Sequence, residues 1–235
     1  IGLQVTPSNS LYLRNWEAHP RTIPLPSPMA MGAPWAKSGH KTLVADNFRR
    51  ANGPLAGTQT DVGSGLWQRT IGQAEMRLTG DGAVQVQASV ECPVVNRTAY
   101  TVAWLQPNLA DVSVNILPPG AGRNMGEKGR GGLIFWQDKA NYLIVNTWLD
   151  DHYAGASLSS FFHLNGFEDL YDAVWTNVGG RITWGQEYRL RTVFDGMHYM
   201  AYVNDEPVLY RALTDLYPSQ RPLSIQRVGI VVNWE

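Results

Sequence analysis

From Leu43 onward the chain repeats one pattern: short β-forming runs joined by glycine-rich segments, with no stretch of helical period between them. Strands are expected over 67–70, 75–79, 83–89, 100–106, 112–117, 132–137, 142–149, 157–163, 173–178, 188–195, 197–204, 208–210 and 228–234. One short helical turn is expected over 212–216. Many short strands without helical spacers predict an all-β fold, an antiparallel β-sandwich of jelly-roll type. A chain of 235 residues suits one large β domain, and a hydrophobic content of 44% supplies its core. The first 45 residues differ, because they hold six of the fourteen prolines: Pro7, Pro20, Pro24, Pro26, Pro28 and Pro34. Proline at that density excludes regular helix and central strand. Residues 1–45 are therefore expected to be an extended arm packed on the body, covering a sheet edge, and residues 46–235 the jelly-roll domain.

The firmest hairpin signal is GRGGLIFWQDKANYLIVNTWLDDHY at 129–153, where two β runs flank Asp138-Lys139-Ala140-Asn141. Alternation places Leu133 and Phe135 with Leu143, Val145, Thr147 and Leu149 on an apolar side. The opposite side carries Ile134, Trp136, Tyr142, Asn146, Trp148 and Asp150. A second hairpin spans 188–204, where Asp195-Gly196 reads as a type I′ turn. That turn predicts the pairs Phe194–Met197, Thr192–Tyr199 and Leu190–Ala201 on a core face. On the reverse face it pairs Val193 with His198, Arg191 with Met200 and Arg189 with Tyr202.

Net charge is −1, so no field attracts nucleic acid or an acidic membrane. No apolar run approaches the roughly 20 residues of a membrane helix. The lone Cys92 excludes an intramolecular disulfide and a cysteine metal cluster, and reads as a buried inert thiol. No signal-peptide pattern is present, and Ile1 in place of an initiator methionine fits a processed or cloned start. Nine Trp and ten Tyr are mostly core, but such a load also suits ligands with flat apolar faces, sugars among them.

Trp136, Tyr142, Asn146, Trp148, Asp150 and His152 form the candidate ligand-binding face: rings for a pyranose, amides and carboxylates for its hydroxyls. The competing reading buries Trp136 and Trp148 inside the sandwich, since large aromatics are usually core. Asp150, Asp151 and His152 are also candidates for an acid–base pair or Ca2+ ligands, against a plain solvated loop. Arg191, His198 and Tyr202, with Arg189, would suit a polysaccharide lyase if their face lines a groove, and are otherwise exposed strand decoration. Glu168, Asp169 and Asp172 read as an exposed acidic loop. The stretch 120–132 lacks the ending of a phosphate loop and reads as a rim loop, while Asn96-Arg97-Thr98 is a glycosylation triplet.

DNFRRANGPL at 46–55 followed by Trp67, GGLIFWQDKANYLIVN at 131–146, YRLRTVFDGMHYMAYVNDEPV at 188–208 and RVGIVVN at 227–233 resemble the concanavalin A-like, LamG-type jelly rolls of secreted bacterial proteins. The resemblance covers about residues 46–235, and its motifs together are specific for fold rather than activity. It implies an extracellular or cell-envelope setting. That superfamily includes lectins, carbohydrate-binding modules, glycoside hydrolases, polysaccharide lyases and structural modules. The Glu-x-Asp-x-Glu strand motif of its glucanases is missing here. A structural Ca2+ is common in the superfamily, though the sequence assigns no ligands to it, and no other cofactor is predicted. The expected function is saccharide binding through the aromatic and amide face. A glycoside hydrolase or lyase on the same fold is the first alternative, and a structural module docking other domains of a larger protein is the second.

Overall fold

Period-two alternation of large apolar residues with small or polar ones gives each β run one face to bury, and sheet pairing follows from burying it. The computed structural model describes residues 42–87, 97–106, 110–120, 129–150, 155–168, 174–217 and 219–232. The proline-rich arm up to residue 41, Cys92, Asn96, Asp151, His152, Asp169 and Asp172 lie outside the described residues. The strands are β1 (Gly53–Pro54), β2 (Gln68–Ile71), β3 (Glu75–Leu78), β4 (Val84–Gln87), β5 (Thr98–Ala103) and β6 (Ala110–Ile116). The long hairpin follows as β7 (Gly131–Asp138) and β8 (Asn141–Leu149). Then come β9 (Ala156–Leu164), β10 (Phe167–Glu168), β11 (Val174–Asn177), β12 (Tyr188–Phe194), β13 (His198–Val203), β14 (Glu206–Ala212) and β15 (Arg227–Val232). A 3-10 turn, Leu213–Asp215, stands where the short helical turn is expected.

Among the described residues the strands form three antiparallel sheets. The large one has the order β10-β9-β8-β7-β15-β5-β2, with β11 also pairing β9. The second has the order β14-β13-β12-β6, and a small sheet β1-β3-β4 stands beside them. The second sheet packs on the large one through Leu133, Phe135, Leu143, Val145 and Phe162 on one side and Leu190, Phe194, Tyr199 and Ala201 on the other. Phe194 meets Phe135 edge-on at 5.4 Å, and Phe162 meets Tyr199 at 5.8 Å. Burying each such side chain contributes about 1.5–3 kcal/mol, which makes this inter-sheet layer the main source of stability. Two pairs of polar groups inside it are joined: the Thr147 hydroxyl bonds that of Tyr188, and Ser160 bonds Tyr199. The predicted antiparallel sandwich of jelly-roll type is the fold observed.

The second hairpin differs in register from expectation. Phe194 pairs with Tyr199, Thr192 with Ala201 and Leu190 with Val203, and on the reverse face Val193 pairs with Met200 and Arg191 with Tyr202. The pairing slides by two residues because the tight turn centres on Gly196-Met197 and not on Asp195-Gly196. The Asp195 carboxylate accepts the backbone N–H groups of Met197 and His198, and Asp195 N–H bonds the His198 carbonyl. A slide of two leaves every side chain on its predicted face, so the core face is as expected. Gly196 has φ +86, and a Cβ there would lie 2.3 Å from the Leu223 carbonyl oxygen. Gly196→Ala is expected to destabilise the protein by about 1–3 kcal/mol, read as a lower urea midpoint at unchanged slope. The 53–54 segment pairs as a two-residue strand with Leu78 and Arg77.

Candidate functional site

Opposite the inter-sheet core, the outer face of the large sheet carries the other half of the alternation. Ile134, Tyr142, Ile144 and Trp148 pack there with Ala99, Phe161 and Val231, and Trp136 rests half-buried against them. The indoles therefore do not sit between the two sheets, as the competing sequence reading had them. Cross-strand register lines up one row of this face. Trp136 lies opposite Tyr142, Tyr142 opposite His163, and His163 opposite Glu168. On its other side Trp136 lies opposite Arg227 of β15.

The rings of that row stack. Trp136 and Tyr142 are 5.3 Å apart at 15°, and Tyr142 and His163 are 4.6 Å apart at 5°. Beyond them the Arg97 guanidinium pairs with the Glu168 carboxylate and lies 5.4 Å over the Phe161 ring. Burial, joined by the Arg97 cation, holds the His163 imidazole below its ordinary pKa against the pull of Glu168. Its Nδ1 is buried without a hydrogen-bond partner among the described residues. Burial also raises the Tyr142 phenol, against the Arg97 cation. The row is thus a rigid ring stack with an ion pair at one end and a guanidinium at the other.

The remaining candidates fall elsewhere. Asn146 is 0% exposed; it lies over Gly132, and its Oδ1 accepts the Ser159 hydroxyl at 3.1 Å. Trp148 is 6% exposed and lies under the Arg130 guanidinium at 3.8 Å. Asp150 shares the outer-face end with it, and its buried carboxylate binds Arg130. On the outer face of the second sheet, Arg191 grips Asp111 through two bonds of 2.8 and 2.6 Å and lies 5.1 Å from the Tyr202 ring. His198 Nδ1 is 3.2 Å from Asp195, its ring stacks on Tyr210, and Arg189 reaches Asp205 and Ser113. Both arginines of the lyase constellation are thereby engaged by carboxylates of the fold itself. Glu168, expected in an exposed acidic loop, is instead part of a strand and pairs with Arg97.

Sequence reasoning missed His163, Glu168, Arg97 and Arg227 as members of the row. Alternation along β9 puts His163 beside Phe161 on one face, but only the register with Tyr142 places it in the stack. Among the described residues no group of three or more His, Cys, Asp or Glu side chains is arranged to hold a metal ion, and no helix is long and apolar enough to cross a membrane.

The class that this geometry defines is an antiparallel β-sandwich with an aromatic row on the outer face of its larger sheet. No family model matches the chain, and no curated protein matches its sequence. Solved structures similar to it include a carbohydrate-binding module, CBM66, from Bacillus subtilis, 16% identical over 72% of this chain and 87% of that one, with a TM-score of 0.46. The homodimeric agglutinin CG-16 from chicken liver is 13% identical over 58% of this chain and 94% of its own, at 0.42. Xenopus laevis galectin-Ib is 10% identical over 58% and 96%, at 0.43.

Proposed function

We propose that the chain is a carbohydrate-binding β-sandwich of the LamG-type branch, working outside the cell or in its envelope, that seats a saccharide on Trp136. The observation that supports this is a half-buried indole held by stacking on Tyr142, which is itself stacked on His163. A pyranose presents a C–H-rich face that packs on an indole, and a ring already fixed in place loses little entropy on binding. Within the proposed face Trp136 supplies the ring surface and Tyr142 buttresses it. Trp148 and Asn146 are enclosed and hold the sheet together.

A glycan array followed by calorimetric titration tests the proposal. Trp136→Ala is expected to weaken binding of the best saccharide by about 2 kcal/mol, roughly thirty-fold in Kd, at unchanged circular dichroism. Trp148→Ala is expected to lower the melting temperature while leaving the Kd of the folded fraction within about two-fold. Equal affinity of wild type and Trp136→Ala for every saccharide bound would remove the site.

A further inference from the structure

The row containing Trp136 ends in a cation that no acid among the described residues neutralises. Arg227 stands directly opposite Trp136 in the β7–β15 ladder, where side chains of opposed residues start about 5 Å apart. Its neighbours on both strands are locked: Gln226 N–H bonds the Trp136 carbonyl, and Ser224 N–H bonds the Gln137 side chain. The guanidinium is half-buried and donates from Nε to the Thr101 hydroxyl at 2.7 Å and from Nη2 to the Thr101 carbonyl at 2.9 Å. Both acceptors are neutral, and among the described residues Nη1 has no hydrogen-bond acceptor.

Four other arginines that are buried or half-buried make the contrast. Among the described residues Arg50 faces Asp46, Arg97 faces Glu168, Arg130 faces Asp150 and Arg191 faces Asp111. Acids raise the pKa of Arg50, Arg97 and Arg191, whereas burial lowers that of Arg227 and no acid among the described residues opposes it. A half-buried charge without a counter-ion among the described residues costs stability, and such a cost on the sheet face that carries the half-buried Trp136 ring marks a place completed by a ligand.

We infer that the saccharide seated on Trp136 carries an anionic group, a carboxylate or a sulfate ester, that binds the Arg227 guanidinium. This rests on the reading of Trp136 as the sugar platform. A planar guanidinium donates two parallel bonds to either oxyanion, which makes the contact charge-assisted and directional. The indole takes the sugar's apolar face and the arginine its charge, so neither alone specifies the ligand.

Calorimetric titration with neutral, uronate-bearing and sulfated oligosaccharides of matched length tests the inference. The wild type is expected to bind an acidic oligosaccharide about ten-fold more tightly than its neutral counterpart, and raising the salt concentration should shrink that margin. Whichever acidic series binds more tightly identifies the anion as uronate or sulfate. Arg227→Gln is expected to bring acidic and neutral ligands to within about two-fold of each other, and Arg227→Lys to keep part of the margin. Equal wild-type affinity for neutral and acidic ligands, or an acidic preference that survives Arg227→Gln, would overturn the inference while leaving the platform standing. Binding of all ligands unchanged in Trp136→Ala, or no binding of any of them, would instead overturn the platform and the inference with it. A purely structural Arg227 would show as a lowered melting temperature in Arg227→Gln with the acidic preference intact.

Discussion

Phe194→Ala is expected to cost about 3–5 kcal/mol of stability, a large share of the roughly 5–15 kcal/mol that holds an ordinary domain folded. Phe194 is 0% exposed and sits where the two sheets meet. It touches Phe135 edge-on, and lies 6.3 Å from Phe162 and 6.5 Å from Tyr199. Removing the ring strips the transfer free energy of a whole aromatic side chain and leaves a void. Three other large rings line that void, and strands on both sides hold their backbones in place, so collapse is limited. Urea denaturation followed by tryptophan fluorescence measures the change, and a loss below about 1 kcal/mol would mean the sheets do not pack through this residue. Phe194→Leu, which refills most of the volume, is expected to recover more than half of the loss.

Asp46→Ala is the second large effect, at about 3 kcal/mol. The Asp46 side chain is 3% exposed and accepts two bonds from Arg50 at 2.8 Å, one from Trp67 Nε1 at 2.7 Å and one from the Phe48 N–H at 2.8 Å. Alanine would leave the Trp67 indole N–H unpaired beside the core and the Arg50 cation without its nearest anion. Burial by itself would raise the Asp46 pKa. The donors from Arg50, Trp67 and Phe48, with the Arg50 charge, outweigh it and hold the carboxyl below its ordinary value. A carboxylate whose folded pKa is depressed contributes stability that is complete above the unfolded value of about 3.9 and fades as pH falls through the folded pKa. The wild type should therefore lose more stability than Asp46→Ala between about pH 5 and pH 2, so their melting temperatures converge in acid. Parallel melting curves at every pH would show that the cluster is neutral to folding.

Much of this architecture was legible in local pattern. Alternation along 132–137 and 142–149 put Leu133, Phe135, Leu143 and Val145 on the core face and Trp136, Tyr142 and Trp148 on the other, as found. In the second hairpin the period of two protected the face assignment even though the register slid. Whether the outer face would be open to a ligand was not legible. Asn146 and Trp148 share the face of Trp136, yet they are closed in by Ser159 and Arg130, partners from another strand and from the residue before β7.

By itself the sequence determined the layer count, the inward faces and the indole that has become the candidate platform, because those follow from residue spacing within a single strand. Only the tertiary structure decided the company that indole keeps. Arg97 meets Glu168 across 71 positions, and Arg227 reaches Thr101 across 126. Such neighbours are chosen by strand order and register, which the packing of the whole sheet selects and no local pattern encodes.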